Sequence, residues 1–298
     1  MRVAVVAHAE KRLGGGLAEL RRVLKAQGVA DPLWYEVAKA KHAPDRAQRA
    51  LDDGAELVFA WGGDGTVRRC MGVLAGTDAC LAVIPAGTAN LFATNLDIPM
   101  DIEGAVAVGL HGERRQLDVG SFSGERFGVM AGVGFDAEMI RGSEDLKERL
   151  GRLAYVWSGS RNLREDAFEA EIRVDGLDWF DGRATCILLG NVGDLFGGVT
   201  VFPDARPDDG QLELGVVTAE GLVQWARTLA RTAAGDPTLS PFVRATRARE
   251  VKVSLDRKVR YELDGGDRTK VKSFKAKVEP GALRLCVPRR PDEGGSGT

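Results

Sequence analysis

The five residues Gly62-Gly63-Asp64-Gly65-Thr66 carry the clearest chemistry in the chain. They follow the apolar run Glu56–Trp61, which reads as a buried strand. They precede Val67, Cys70, Met71 and Leu74, whose spacing marks one face of a helix. A strand–glycine loop–helix unit suits phosphate: glycines let the backbone approach the anion, and the helix start offers N–H groups and a positive dipole end. Asp64 puts a carboxylate where a phosphate-bound Mg2+ could be held, directly or through water. Thr66 can cap the helix and donate to a phosphate oxygen. The bland alternative is a glycine turn whose Asp satisfies its own backbone.

One strand later a second loop of the same kind appears, Pro85-Ala86-Gly87-Thr88-Ala89-Asn90, after the apolar run Leu81–Ile84. Consecutive strands of a parallel sheet lie side by side, so the two loops are expected to converge at its carboxyl edge, where α/β folds bind ligands. Two such loops on neighbouring strands make the phosphate reading much more specific than either alone.

The surrounding elements fit that sheet. Arg2–Ala7 and Pro32–Val37 read as further strands, and helical spacing recurs at Leu17–Leu24, Arg46–Leu51 and Ile102–Val108. Alternating strands and helices imply a parallel sheet covered on both faces. The pattern changes near Arg115. Gln116–Gly120, Arg126–Met130, Ala170–Val174, Arg183–Leu189, Gln211–Val217, Glu250–Leu255, Lys258–Leu263 and Leu283–Val287 are short β-type segments between turn residues. They read as a mostly antiparallel sandwich with helical inserts near Leu146–Leu163 and Leu222–Ala233. The expected division is therefore an α/β domain carrying the two phosphate-type loops over 1–115, a β-rich domain over 116–290, and a disordered Gly/Ser-rich acidic tail over 291–298.

Composition narrows the classes. With 298 residues the chain can form two domains, and 44% apolar and 28% charged residues are ordinary for a globular protein. A formal charge of −2 gives no electrostatic reason to expect nucleic acid. No apolar run approaches the ~20 residues a membrane helix needs, and Met1–Val6 runs into polar residues unlike a signal peptide. A cytoplasmic protein with peripheral membrane contact is expected. Cys70, Cys80, Cys186 and Cys286 lack metal-like spacing and sit in apolar surroundings, where free thiols act as small hydrophobes. His8, His42 and His111 are too scattered for a zinc site or a catalytic triad.

On these residues the chain resembles the diacylglycerol kinase catalytic-domain family, which includes soluble bacterial lipid kinases and sphingosine kinases. The resemblance covers nearly the whole sequence. It rests on Gly62–Thr66, Pro85–Asn90 with Leu91-Phe92-Ala93, Asp118-Val119-Gly120, Ala131–Ala137, Leu150–Tyr155, Gly190-Asn191, Pro203-Asp204-Ala205 and Asp209-Gly210. It implies an α/β domain resembling that of NAD kinases, a β-rich C-terminal domain, and ATP-dependent transfer of a phosphate to a lipid hydroxyl with Mg2+. The family's nucleotide loop matches Gly63–Arg69, and its second-loop Thr matches Thr88, with Asn90 beside it. A structural Mg2+ of bacterial members would fall at Asp209, with the backbone carbonyls of Arg206 and Gln211. The partners implied are ATP and a lipid at the membrane surface, and a homodimer is a possible assembly.

The sequence departs from the family at its late Asp-Gly-Glu, whose Glu acts as base. Here Asp264-Gly265-Gly266-Asp267 puts glycine in that place. Asp267 could reach the position through a bulge at Gly265-Gly266, or Asp264 could act through a water. At the first strand end, His8-Ala9 stands where the family has Asn-Pro, and no Thr occurs near Ala38–Lys39. Leu195, Phe196, Val199, Val201 and Phe202 could line a lipid entrance or fill a buried strand. The basic stretches Arg141–Arg152 and Arg244–Arg249 read as solvated faces. Two rival readings remain: an NAD kinase, which also uses Gly-Gly-Asp-Gly-Thr, and a nucleotide- or lipid-binding protein that has lost its base.

Overall fold

A computed structural model describes residues 1–134, 167–194, 200–220, 224, 228 and 240–289. The expected helical inserts, the tail, the Arg141–Arg152 stretch, Leu195, Phe196 and Val199 lie outside these. The chain forms two compact units, Met1–Leu117 together with the stretch from Leu283, and Asp118–Ala282.

The first unit is a parallel α/β sheet. Its strands are β1 (Val3–His8), β2 (Leu33–Val37), β3 (Leu57–Gly62) and β4 (Cys80–Pro85). Between and after them run α1 (Gly16–Ala26), α2 (Ala43–Asp52), α3 (Asp64–Leu74), α4 (Leu91–Asn95) and α5 (Ile102–His111). The strand order is β2-β1-β3-β4, all parallel. Every residue of β1, β3 and β4 is buried, as expected for strands covered on both faces, whose sequences are apolar throughout rather than alternating. Leu285 and Arg284 pair in parallel with Leu81 and Cys80. The end of the chain therefore adds a strand to this unit, although its sequence neighbours belong to the other.

The second unit is antiparallel. It contains the end of β5 (Glu113–Phe122), β6 (Glu125–Phe127), β7 (Met130–Val133), β8 (Phe168–Val174), β9 (Leu177–Ala184) and β10 (Cys186–Gly190). β11 (Leu212–Val217), β12 (Val243–Ala248), β13 (Glu250–Leu263) and most of β14 (Gly266–Val287) complete it. One layer runs β12-β11-β10-β7-β13. The first half of β13 also pairs with β8, and β8 with β9, so this one strand serves both layers of the sandwich. Phe122 stacks on Phe274 and Tyr261 at centroid distances of 4.3 and 4.7 Å, inside a core shared with Phe127, Phe168 and Phe180.

Several strand bounds differ from the sequence expectation. Arg126–Met130 is two strands parted at Gly128-Val129, and Arg183–Leu189 is parted at Thr185. Glu250–Leu263 is one strand rather than two. β14 is 22 residues long, of which only Leu283–Val287 was expected. Arg244 and Arg247 lie on strand β12, whose basic residues and mostly exposed pattern disguised it.

Candidate functional site

The two glycine loops meet within the first unit. A Cβ added at Gly87 would lie 2.4 Å from the Gly63 Cα, and one added at Gly63 would lie 3.1 Å from the Gly87 Cα. A side chain does not fit at Gly87 and would be tight at Gly63; the crossing lies where β3 and β4 end side by side, Gly62 paired with Pro85. The crossing leaves backbone, not side chains, to line the loop junction, the arrangement a phosphate cradle requires.

Gly63 is the N-cap of α3, in extended conformation and with no side-chain cap bond. The N–H groups of Thr66 and Val67 donate to its carbonyl at 2.8 and 3.1 Å. The cap is thus Gly63 and not Thr66, whose side chain is buried and packs where a Cβ on Gly62 would fall. Gly65 closes the first turn, its carbonyl accepting from Arg69 at 2.8 Å. Asp64 opens the helix, and its Oδ1 accepts from the Phe92 N–H of α4 at 3.3 Å. Its carboxylate therefore leans from the first loop toward the second.

The second loop is shaped by Asn90. Its Oδ1 accepts from Gly87 N–H at 2.8 Å, and its Nδ2 donates to the Gly87 and Pro85 carbonyls at 3.1 and 3.3 Å. Asn90 itself has φ 49°, a left-handed conformation that Asn tolerates better than most residues. Its amide is spent on the turn, so it shapes the loop rather than reaching outward. Thr88 is exposed at the loop's apex, where its hydroxyl is available to a ligand.

His8 ends β1, one residue beyond Ala7, which pairs with Trp61. It is 8% exposed, and its Nδ1 has no partner within the protein. Its place at the end of a strand beside β3 was visible in the sequence; its burial was not.

In the second unit, Leu263 pairs with Gly266, and Asp264 and Gly265 take φ 46° and 70°. This is a two-residue hairpin turn of the mirror type that Asp-Gly favours. No bulge falls at Gly265-Gly266; the two register shifts lie between the Ser254 and Val259 pairs and between the Arg260 and Glu262 pairs. Asp267 pairs through its backbone with Glu262, and its side chain lies outside the described residues. The Asp264 carboxylate accepts from Gly128, Val129 and Met130 N–H at 2.9, 2.8 and 2.9 Å, and is 6% exposed. A carboxylate so occupied is an anchor for the break between β6 and β7. This geometry does not suit Asp264 to the base role expected of it. Glu262, 2% exposed on β13, is a second buried carboxylate, which the sequence presented only as part of a strand.

Asn191 extends the same network, donating to the carbonyls of Gly128 and Asp118 at 3.0 Å each. Asp118 in turn accepts from Gly210 N–H at 2.6 Å and Gly281 N–H at 2.7 Å, and its own N–H donates to the Pro207 carbonyl at 2.6 Å. Asp118, Asn191, Gly210 and Asp264, four of the family-like positions, are thus wired together through backbone groups. On the adjacent turn, Asp209 Oδ1 accepts from Gln211 N–H at 3.0 Å, and Arg206 is exposed. Burial first, then the charges of Asp209 and Asp204, raise the Glu213 carboxyl above its usual range, opposed by Arg247. A carboxylate oxygen from Asp209 and backbone carbonyls such as those of Arg206 and Gln211 are the hard-oxygen donor types that suit Mg2+. Among the described residues no group of three or more His, Cys, Asp or Glu side chains could hold a metal, so carbonyls and water would have to complete the shell.

Residues 7–122 match the diacylglycerol kinase catalytic domain, and residues 129–287 match the YegS C-terminal NAD kinase beta sandwich-like domain. The "Probable lipid kinase YegS-like" protein of Cronobacter sakazakii is 32% identical over 281 residues, covering 90% of this chain and 89% of that one. A diacylglycerol kinase of Staphylococcus epidermidis is 30% identical over 235 residues, 78% and 74% of the two chains. A crystal structure of a diacylglycerol kinase from Bacillus anthracis str. Sterne superposes with a TM-score of 0.74 at 21% identity, over 96% of each chain. The chain belongs to the diacylglycerol kinase catalytic-domain family, with an α/β N-terminal part and a C-terminal β-sandwich.

Proposed function

We propose that this protein is an ATP-dependent lipid kinase that transfers the γ-phosphate to the hydroxyl of diacylglycerol or a related lipid. The observation that carries the reading is the backbone crossing of Gly63 and Gly87, which leaves a side-chain-free junction beside the start of α3. In this reading the unit from Met1 binds the nucleotide and the β-rich unit receives the lipid. Gly62, Gly63, Gly65 and Gly87 give the phosphates backbone access, Thr66 packs behind the first loop, and Thr88 offers its hydroxyl. Asn90 holds the second loop to shape. Mg2+ would neutralise the charge that builds on the transferred phosphate, and Asp64 is the residue that would hold it there. A second Mg2+ at Asp209, with the Arg206 and Gln211 carbonyls, would tie a turn and take no part in the transfer.

With Asp264 committed to three backbone N–H groups, Asp267 is the remaining candidate of the pair for taking the lipid's proton. Phosphoryl transfer depends mostly on positioning and charge stabilisation, so an imperfect base slows it without abolishing it. Among the described residues no helix is long and apolar enough to cross a membrane; the proposal places the enzyme in the cytoplasm, where it visits the membrane surface to reach its lipid. The relatives' names support a lipid acceptor over NAD. The test offers γ-labelled ATP with diacylglycerol, a sphingoid base, a glycolipid and NAD in parallel. Label in a lipid supports the proposal. Label in NAD alone would replace it with the dinucleotide reading, and ATP binding with no labelled acceptor would favour a binding protein.

A further inference from the structure

Two of the four cysteines do not sit as inert hydrophobes. Cys80 on β4 and Cys286 on β14 come from adjacent parallel strands of the first unit, where Cys80 pairs with Arg284. Their Sγ atoms lie 3.2 Å apart, and both are free thiols. The Arg114 guanidinium contacts the Cys286 Sγ directly and reaches the Cys80 Sγ at 3.6 Å. Its position is fixed by a 2.9 Å bond to the Gly109 carbonyl. A cation thus stands against a buried dithiol.

We propose that Cys80 and Cys286 are an oxidisable pair that closes to a disulfide on exposure to a hydroperoxide, with Arg114 as the positioning residue that promotes the thiolate. With hydrogen peroxide, one sulfur attacks as its thiolate: an S–O bond forms, the O–O bond breaks, and the hydroxide that leaves takes up the proton this thiol gave up, making the first water. The second sulfur then attacks the resulting sulfenic acid: the S–S bond forms, the S–O bond breaks, and the departing oxygen takes the remaining thiol proton as water. Two thiols are oxidised and one peroxide is reduced to two waters.

Electrostatics agrees with the geometry. The Cys80 thiol is lowered to about 7, first by the hydrogen bond from Cys286 and then by the Arg114 charge, against the opposing effect of burial. Cys286 is pushed up, first by its bond to Cys80 and then by burial. Because Arg114 lies nearest Cys286, the single negative charge belongs to the pair rather than to one sulfur. The other two cysteines are internal controls. Burial pushes Cys70 up to about 12 and Cys186 well above the ordinary thiol range, and thiols in such sites are unreactive. Cys80 keeps 5% exposure, while Cys70 has none.

The test treats the full-length reduced protein with hydrogen peroxide at pH 7, then counts thiols after denaturation and maps peptides without reductant. The expected result is a fall from four thiols to two, a Cys80–Cys286 cross-linked peptide, and full reversal by dithiothreitol. Cys80→Ser abolishes the cross-link, and Cys70→Ser leaves it unchanged. Arg114→Gln slows its formation at pH 7 on the order of tenfold, and much less at a pH where unassisted thiols ionise. Retention of all four thiols overturns the proposal. So does a disulfide that includes Cys70 or Cys186, or sulfinic acid at Cys80 beside an unmodified Cys286. The wild-type peptide map decides the matter even if a variant fails to fold.

Discussion

The Gly63 and Gly87 backbones touch: a methyl group on Gly87 would penetrate to 2.4 Å from the Gly63 Cα, with Asn90 Oδ1 at 2.7 Å on its other side. Neither neighbour can yield cheaply, since one is backbone and the other is held by three hydrogen bonds. Gly87→Ala must therefore push the two loops apart. The expected outcome is a loss of about 1–3 kcal/mol in stability, typical of overpacking, and a rise in KM for ATP of at least tenfold. Gly72, in the last turn of α3 with nothing within 4 Å of an added Cβ, is the control. Gly72→Ala gains about 0.5–1 kcal/mol and leaves KM unchanged. Thermal melts and initial rates on both variants check this.

Asp264 makes its contribution to the fold. Removing its carboxylate strands three backbone N–H groups at Gly128, Val129 and Met130, and each unsatisfied buried donor costs about 1–3 kcal/mol. Since water recovers part of this, Asp264→Ala is expected to lose roughly 3–5 kcal/mol in urea unfolding. A variant with wild-type stability and no turnover would instead return Asp264 to the role of base.

Asn90→Ala removes three hydrogen bonds and places a less tolerant residue at φ 49°. A stability loss of about 1–3 kcal/mol is expected. KM for ATP should rise more than kcat falls, because the loop's shape is lost while the reacting groups remain. Asn90→Asp keeps the acceptor for Gly87 N–H and should recover part of the affinity. Steady-state kinetics on the two variants separate these effects.

If Mg2+ ties the turn at Asp209, the apo protein should melt lower in a chelator than in excess Mg2+. Asp209→Ala should remove that difference while melting close to the chelated wild type. Asp118 still holds Gly210 and Gly281, so any drop in the chelated variant is limited to the lost Asp209–Gln211 bond, about 0.5–1.5 kcal/mol. Equal Mg2+ stabilisation of wild type and variant would move the ion elsewhere.

The sequence was informative where structure is dictated locally. β1, β3 and β4 are six-residue apolar runs ended by polar or turn residues, and the α/β periodicity of the first unit follows from them. The meeting of the two loops was legible too, because parallel strand order carries it. The second unit was less legible because distant residues decide its strand ends. The break at Gly128-Val129 is made by a carboxylate 136 positions away. Lys270, Lys272, Lys275 and Lys277 hid the interior of β14, since charged residues on an exposed face mask alternation with Phe274 and Ala276. Asp264 drew attention as a carboxylate at the expected site of the base, but only the fold shows that its oxygens are occupied. The thiols at Cys80 and Cys286 stand 206 positions apart, and no spacing rule connects them.

The most direct test follows label from γ-labelled ATP into lipid, with wild type and Asp64→Ala assayed side by side on lipid extract in Mg2+. Thermal melts of the two proteins establish that the variant compared is folded. The account predicts a labelled lipid from wild type and at least a hundredfold less from the equally folded variant, a loss of about 2.7 kcal/mol in transition-state stabilisation. Undiminished transfer by Asp64→Ala would contradict it.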